Sequence, residues 1–273
     1  ATWSSYGTIL FRAWKACDDQ NVLDVIEENI IQNIMECGTK IADKSLFNAC
    51  RTLLQSFTFN KRYDGVDEML LRLYNPILWR SLNAANHHVR SQSTVLLIDA
   101  FPLQDPSSTN EIIDGILTKQ FNILERLLMD NVPSVRIVTI EGVFRILAMY
   151  WDLIPTRFTK TVLSLVVDRL SNDASSTSVR INVINGLKYL VTTNVMSHGA
   201  MKVLLPRLSM RLHDKSPRVR QSFLDLLLAI RDIKRIPFFT IAPLTHLHAR
   251  LIEDSKKDAL CFRMVELLVP TYY

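Results

Sequence analysis

Asp130-Asn131-Val132-Pro133-Ser134-Val135-Arg136 decides the reading of this chain, because the chain writes it again. Asp214-Lys215-Ser216-Pro217-Arg218-Val219-Arg220 is a second copy. Asn172-Asp173-Ala174-Ser175-Ser176-Thr177-Ser178-Val179-Arg180 is a longer, looser one, and Asn83-Ala84-Ala85-Asn86-His87-His88-Val89-Arg90 a degenerate one. The Val-Arg pairs stand 46, 44 and 40 residues apart. Each copy has the chemistry of a turn between two antiparallel helices. Asp, Asn, Ser and Pro stop the first helix, and Pro133 and Pro217 suit the first turn of the next, where a missing N–H costs nothing. The valine then opens the apolar stripe of the second helix. That stripe is Val219, Phe223, Leu226, Leu227 and Ile230 in the last copy, and Val179, Val183, Leu187, Leu190 and Val191 in the third. Spacings of three and four put each set on one helical face.

A period of roughly 40–47 residues built from helix pairs is the signature of HEAT and armadillo arrays. The expected fold is therefore all-α, an α-solenoid of stacked HEAT-like antiparallel helix hairpins. In such an array each hairpin buries its stripe against its neighbours and no central core is needed. Six hairpins are expected, at 22–58, 64–101, 111–150, 156–192, 199–233 and 239–270, in one solenoid segment covering 1–273. A helix from about Ser4 to Ala16 precedes them. The first hairpin opens with Val22, Val25, Ile26, Ile30 and Ile34 inward, and Gly38 is expected to end that helix in the left-handed conformation. Pro76 is placed to kink the next. Leu103 to Asn110 reads as a polar loop. The fifth hairpin reads as the most regular. The sixth lacks the Val-Arg pair, having Ala259-Leu260 there, and is expected to bury Ile241, Leu244, Leu247 and Leu251, then Ala259, Phe262, Val265 and Leu268.

Composition agrees with this. Seven glycines in 273 residues and 48% hydrophobic residues fit a helical protein, and no long alternating strand pattern occurs. Apolar runs such as Val203-Leu204-Leu205 fall far short of the roughly 20 residues of a membrane span. Cys17, Cys37, Cys50 and Cys261 form no C-x-x-C pair, so neither a zinc site nor a redox motif is expected. Scattered thiols read as reduced core residues of an intracellular protein. The chain begins at Ala1 with no signal peptide and is read as a segment of a longer protein. Its formal charge of +5 is unevenly spread: residues 1–70 carry a net −3, whereas residues 201–235 carry +6. Such asymmetry points to an acidic partner for the C-terminal half, nucleic acid being the natural one.

Two sets of cations stand out. Arg90, Arg136, Arg180 and Arg220 recur in register, each directly after a core valine. One reading makes them a row of phosphate contacts. The other makes them an internal ladder, each guanidinium bonding an aspartate or a turn carbonyl of its own or the next repeat. Lys202, Arg207, Arg211, Lys215 and Arg218 are the candidate DNA-binding residues. Arg207 and Arg211, four apart on a helix, share a face, and Lys215 and Arg218 occupy the turn that follows. Two readings stand for this set as well: phosphate contacts that release counterions, or a solvated basic surface. His87-His88 and His246/His248 are poorly placed to share a metal ion. Ser216-Pro217 fits both a helix-starting proline and a proline-directed phosphorylation site. No G-x-G-x-x-G, G-x-x-x-x-G-K-[ST] or G-x-S-x-G occurs, so no enzyme, cofactor or small-molecule substrate is expected.

Beyond the repeat, Leu71-Arg72-Leu73-Tyr74-Asn75-Pro76-Ile77-Leu78-Trp79-Arg80-Ser81-Leu82, followed by Ala85-Asn86-His87-His88-Val89-Arg90-Ser91-Gln92 and Leu97-Ile98-Asp99-Ala100-Phe101-Pro102-Leu103, resembles the G-type HEAT-repeat, non-SMC subunits of condensin II. Met129 to Arg136 agrees. The resemblance implies a non-enzymatic scaffold that binds the kleisin subunit and, through it, the SMC ATPases, to which ATP hydrolysis belongs. It also implies contact with double-stranded DNA in a basic groove, and a role in mitotic chromosome condensation and segregation in the nucleus. No short motif marks the kleisin contacts. The rival class is a peptide-binding helical-repeat adaptor such as a nuclear transport receptor. A cargo groove of that kind needs regularly spaced Trp and Asn on inner helices; Asn182 and Asn185 share one helix without a Trp array.

Overall fold

A computed structural model of the chain describes residues 2–254 and 258–269, with only the backbone of Asp258. These residues form helices and turns, with no strand among them. Two compact units, 1–139 and 140–273, divide the chain inside helix α8 (Pro133–Tyr150).

In the first unit α1 (Thr2–Lys15) lies against α4 (Lys44–Thr58). Gly7 permits the close approach, since a Cβ there would stand 3.0 Å from the carbonyl oxygen of Leu53. Phe57 meets Phe11 and Trp14 edge to face around that contact, the Phe11 and Phe57 ring centroids 5.5 Å apart. The next helical rod has three parts: α2 (Gln20–Asp24), a π-helical stretch (Val25–Ile31) and α3 (Gln32–Lys40). Asp19 starts it by accepting the Asn21 N–H at 2.9 Å. The π stretch corrects the expected stripe. A wider turn advances the inward face by more than the α period, so Glu27, Ile31 and Met35 point in. Val22, Val25 and Ile30 are 40–52% exposed. Buried Glu27 is satisfied by the Trp14 indole N–H at 2.7 Å and by Arg72.

Gly38 is also corrected. It lies inside α3 with Leu96 packed on it, and the rod ends at Lys40 where Ile41 turns extended. The glycine with positive φ is Gly65, at 76°, immediately before α5 (Val66–Ser81). That helix continues past Pro76. Asn86 caps α6 (His87–Ala100), which packs on α3, α4 and α5. Leu103, expected in a surface loop, is buried. Gln120 of α7 (Asn110–Leu128) holds it from both sides, accepting its N–H at 3.0 Å and donating to its carbonyl at 2.7 Å.

The second unit holds the clearest stack. It contains α9 (Thr156–Asp168), a 3₁₀ turn (Leu170–Asn172), α10 (Thr177–Thr193), α11 (His198–Leu204), α12 (Pro217–Ile230), α13 (Phe238–Ile241), α14 (Leu244–Glu253) and α15 (Asp258–Leu268). The second helices of successive hairpins lie side by side, α10 on α12 and α12 on α15. The stripes Val179–Val191 and Val219–Ile230 are buried as their spacing predicts.

The fifth hairpin is less regular than expected. Pro206 cannot donate the helical bond, and α11 tightens into a 3₁₀ stretch over Leu205–His213. In the sixth, Leu260, Met264 and Leu267 are buried, whereas Phe262 and Val265 face solvent and Leu244 is 40% exposed. α15 carries two apolar stripes about 200° apart, and packing against α12 selects the one that follows Leu260. The turn of that hairpin, 255–257, and its expected last residue, 270, lie outside the described residues. The cysteines are not core residues either: Cys37 is exposed and the other three are half-buried, all with free thiols.

Candidate nucleic-acid interface

The turns between paired helices carry most of the chain's charged chemistry. In each, an Asx or Ser side chain starts the next helix: Asn86 accepts the His88 N–H, Asp130 that of Val132, Ser176 that of Val179 and Asp214 that of Ser216. The arginine one turn into the helix then folds back over the turn. Arg90 donates to the carbonyls of Ala84 and Ala85 at 2.8 Å, and forms a bidentate pair with Asp130 of the following hairpin at 2.7 and 2.8 Å. Arg180 repeats this with the Asp173 carbonyl at 2.7 Å and Asp214 at 2.9 and 3.0 Å. Arg220 repeats it with the Asp214 carbonyl at 2.7 Å and Asp254 at 3.1 and 3.0 Å. Arg136 holds the Asp130 and Asn131 carbonyls at 2.7 and 3.2 Å. These four guanidinium groups are thus used inside the fold, and Arg90, Arg180 and Arg220 each key one hairpin to the next.

A second arginine position, three or four residues before the turn aspartate, reaches the other way. Arg126 donates to Asn83 Oδ1 and to the Leu82 carbonyl. Arg211 donates to Asn172 Oδ1 at 2.7 Å, to the Ser171 carbonyl at 3.0 Å and to Asp214 at 3.1 Å. The equivalence is close enough to form matching clefts. One of about 410 Å³ lies between Asn83, Arg90, Arg126 and Asp130. One of about 500 Å³ lies between Asn172, Arg180, Arg211 and Asp214. The sequence reading missed this second row. Its signal was present as Arg126 four before Asp130 and Arg211 three before Asp214.

The candidate DNA set is therefore not uniform. Arg211 has a mostly buried side chain, both terminal nitrogens occupied, and belongs with the internal clamps. Burial lowers its pKa, Asp214 opposes the shift and Arg180 adds to it. Arg207 is half exposed and ion-paired to Asp168, a surface pair worth about 0–1 kcal/mol that a phosphate can displace. Lys202, Lys215 and Arg218 are exposed and make no ion pair among the described residues. Lys215 and Arg218 share one turn, and Lys202 stands roughly 20 Å away along the rod that ends there. Arg169, exposed at the end of α9 beside the Asp168–Arg207 pair, adds a cation that sequence reasoning passed over. No group of three or more possible metal ligands occurs among the described residues. Asn182 turns back to its own helix, donating to the Ser178 carbonyl at 3.0 Å.

Burial pushes the Asp214 carboxyl up. Its bonds from Arg180 and the Ser216 N–H, with Arg211 close by, outweigh that and leave it below the ordinary carboxylate range. Asp130 follows the same pattern with Arg90 and the Val132 N–H. A depressed carboxyl pKa stabilises the fold above the unfolded value of about 3.9, and the contribution disappears as pH falls through the lower folded value. Thermal melts should therefore show no loss from these clamps between pH 7 and 5 and a steep loss below about pH 4. Asp214→Asn should lose less than the parent between pH 5 and 3, and an identical acid limb would refute the assignment.

With the geometry described, relatives can be compared. The model for the condensin II non structural maintenance of chromosomes subunit matches residues 1–105. Condensin-2 complex subunit G2 of Xenopus laevis is 38% identical over 266 residues, 97% of this chain. Over nearly its whole length the chain is homologous to the condensin II non-SMC subunit G2. The human subunit G2 gives the same 38% over 97% of the chain. The model for sister chromatid cohesion protein PDS5 matches residues 66–232, the stretch holding all four Val-Arg turns. The condensin II likeness extends beyond those turns to residue 1. The chain spans 23% of the length of these condensin II relatives. Among solved structures a designed armadillo repeat protein aligns with a TM-score of 0.40 and 15% identity, covering 82% of this chain and 99% of that one.

Proposed function

We propose that this chain is a non-catalytic scaffold segment of a condensin II complex that lies on double-stranded DNA and holds the kleisin subunit, and through it the SMC ATPases, on mitotic chromosomes in the nucleus. The observation that carries the complex is the 38% identity to condensin-2 complex subunit G2 through 97% of the chain. The DNA contact is supported by the uncommitted cations of the second unit. Lys202, Lys215 and Arg218 are exposed and make no ion pair among the described residues, and Lys202 stands roughly 20 Å along the rod from the other two. A B-DNA strand presents a phosphate about every 3.4 Å of rise, so such a row can meet several at once. The clamping arginines Arg180 and Arg220 contribute by holding in place the turn that carries Lys215 and Arg218.

The test is a titration with duplex DNA at several salt concentrations. Four or five phosphate contacts predict a log–log salt slope of about −4. Reversing Lys202, Lys215 and Arg218 to Glu together should weaken binding by about 100-fold or more and flatten the slope by roughly three. Arg211 must be left intact, since its loss would disturb the fold. Unchanged affinity in the triple variant would remove the site. Retention of the chain by an immobilised kleisin subunit tests the second contact, and failure to be retained would count against it.

A further inference from the structure

The fifth-hairpin turn contains one residue that neither the ladder nor the basic row uses. Ser216-Pro217 is the single Ser-Pro dipeptide in the 273 residues, and no Thr-Pro occurs. At the aligned positions of the other close copy of this turn, Asn131, Val132 and Ser134 stand where Lys215, Ser216 and Arg218 stand here. The copy in the fifth hairpin alone places a hydroxyl between two cations. Ser216 is the residue before α12, with extended backbone (φ −84°, ψ 121°), and its hydroxyl makes no capping bond. The capping is done instead by Asp214, which accepts the Ser216 N–H at 2.9 Å. Ser176, at the corresponding place one hairpin earlier, does spend its hydroxyl on a cap, accepting from Val179. Ser216 is partly exposed, and Lys215, Pro217 and Arg218 around it are exposed.

We infer that Ser216 is a phosphorylation site for a proline-directed serine kinase, and that its phosphate neutralises Lys215 and Arg218 and so loosens the hold on DNA. ATP is the phosphoryl donor. The bond from the γ-phosphorus to the β,γ-bridging oxygen breaks, a bond from Ser216 Oγ to that phosphorus forms, the hydroxyl proton passes to the kinase's base, and ADP leaves. A phosphoserine carries about −1.5 to −2 charges near pH 7, enough to offset the two cations beside it. It also stands next to Asp214, whose carboxylate already engages Arg180 and Arg211, so those clamps are not free to absorb the new charge. The loosening rests on the DNA reading above; the modification itself does not.

The test treats the folded chain with ATP and a purified cyclin-dependent kinase, with mass spectrometry to place the phosphate. The expected product carries one phosphate, on Ser216, and Ser216→Ala carries none. A folded chain left unmodified under conditions that modify a peptide of residues 210–222 would overturn the site. Elution from heparin then reports neutralisation without DNA: the phosphorylated chain should leave at lower salt than the untreated chain, and Ser216→Ala should not shift. Equal elution of the two forms would overturn the neutralisation. On duplex DNA the phosphate should weaken binding about tenfold and flatten the salt slope by roughly two. A heparin shift from a chain that never binds duplex DNA would leave the modification standing and bring down the DNA reading instead.

Discussion

Replacing Asp254 by alanine lowers the unfolding free energy by about 3–5 kcal/mol, the scale of a buried ion pair broken from one side. Asp254 is 1% exposed and takes four guanidinium bonds, from Arg220 at 3.1 and 3.0 Å and from Arg250 at 2.7 and 3.1 Å. Removing the carboxylate leaves the buried Arg220 charge without its counter-ion, and that uncompensated charge is where the cost arises. Asp254→Asn retains one acceptor oxygen and should fall between. The control is Asp232→Ala. Its pair with Arg231, at 3.4 Å, is solvent-exposed, so the loss should stay below about 1 kcal/mol. The midpoint of urea unfolding, followed by helical circular dichroism, separates the cases. Equal shifts for Asp254→Ala and Asp232→Ala would show that the ladder does not hold the repeats together.

Gly186→Ala is expected to cost about 1–3 kcal/mol, toward the upper end, by overpacking. A Cβ at that position would lie 2.0 Å from Phe144 Cδ2 and 2.4 Å from its Cε2, and Phe144 is wholly buried. Neither the helix backbone nor the enclosed ring has room to yield. Phe144→Leu should relieve the clash, so the double variant should be less destabilised than the sum of the two single changes. Gly115→Ala provides the opposite sign. Nothing lies within 4 Å of its Cβ position in α7, so the substitution should stabilise by about 0.5–1 kcal/mol through helix propensity. Additive losses for Gly186→Ala and Phe144→Leu would mean that the α10 backbone moves aside.

Much of the candidate site was legible in outline and misread in detail. The recurrence of Val-Arg identified the turns, and the arginines lie where the recurrence put them. Arg211 looked like a neighbour of Arg207 on a free helical face because sequence spacing says nothing about what stands opposite. What stands opposite is the 3₁₀ turn after α9, with Asn172 and the Ser171 carbonyl, and a guanidinium within their reach is drawn in. Lys215 and Arg218 stay exposed, whereas Asp214, Val219 and Arg220 of the same turn are buried. Arg169 was passed over for the converse reason: it belongs to no run of charge, and only the fold brings Arg207 to its chain neighbour Asp168.

Alone, the sequence determined that this chain is built of helix pairs with turns at 83–90, 130–136, 172–180 and 214–220, because apolar periodicity and the capping chemistry of Asp, Asn, Ser and Pro act over a few residues. It also determined the inward face wherever only one stripe was available, as in α10 and α12. Tertiary structure alone decided between rival stripes in α15. It also decided the register of the rod at 20–40, where a π stretch shifts the inward face to Glu27, Ile31 and Met35. The division of arginines between clamps and free cations was likewise decided there. In each of these cases the outcome depends on which surface lies opposite, and that surface comes from another hairpin dozens of residues away in the chain.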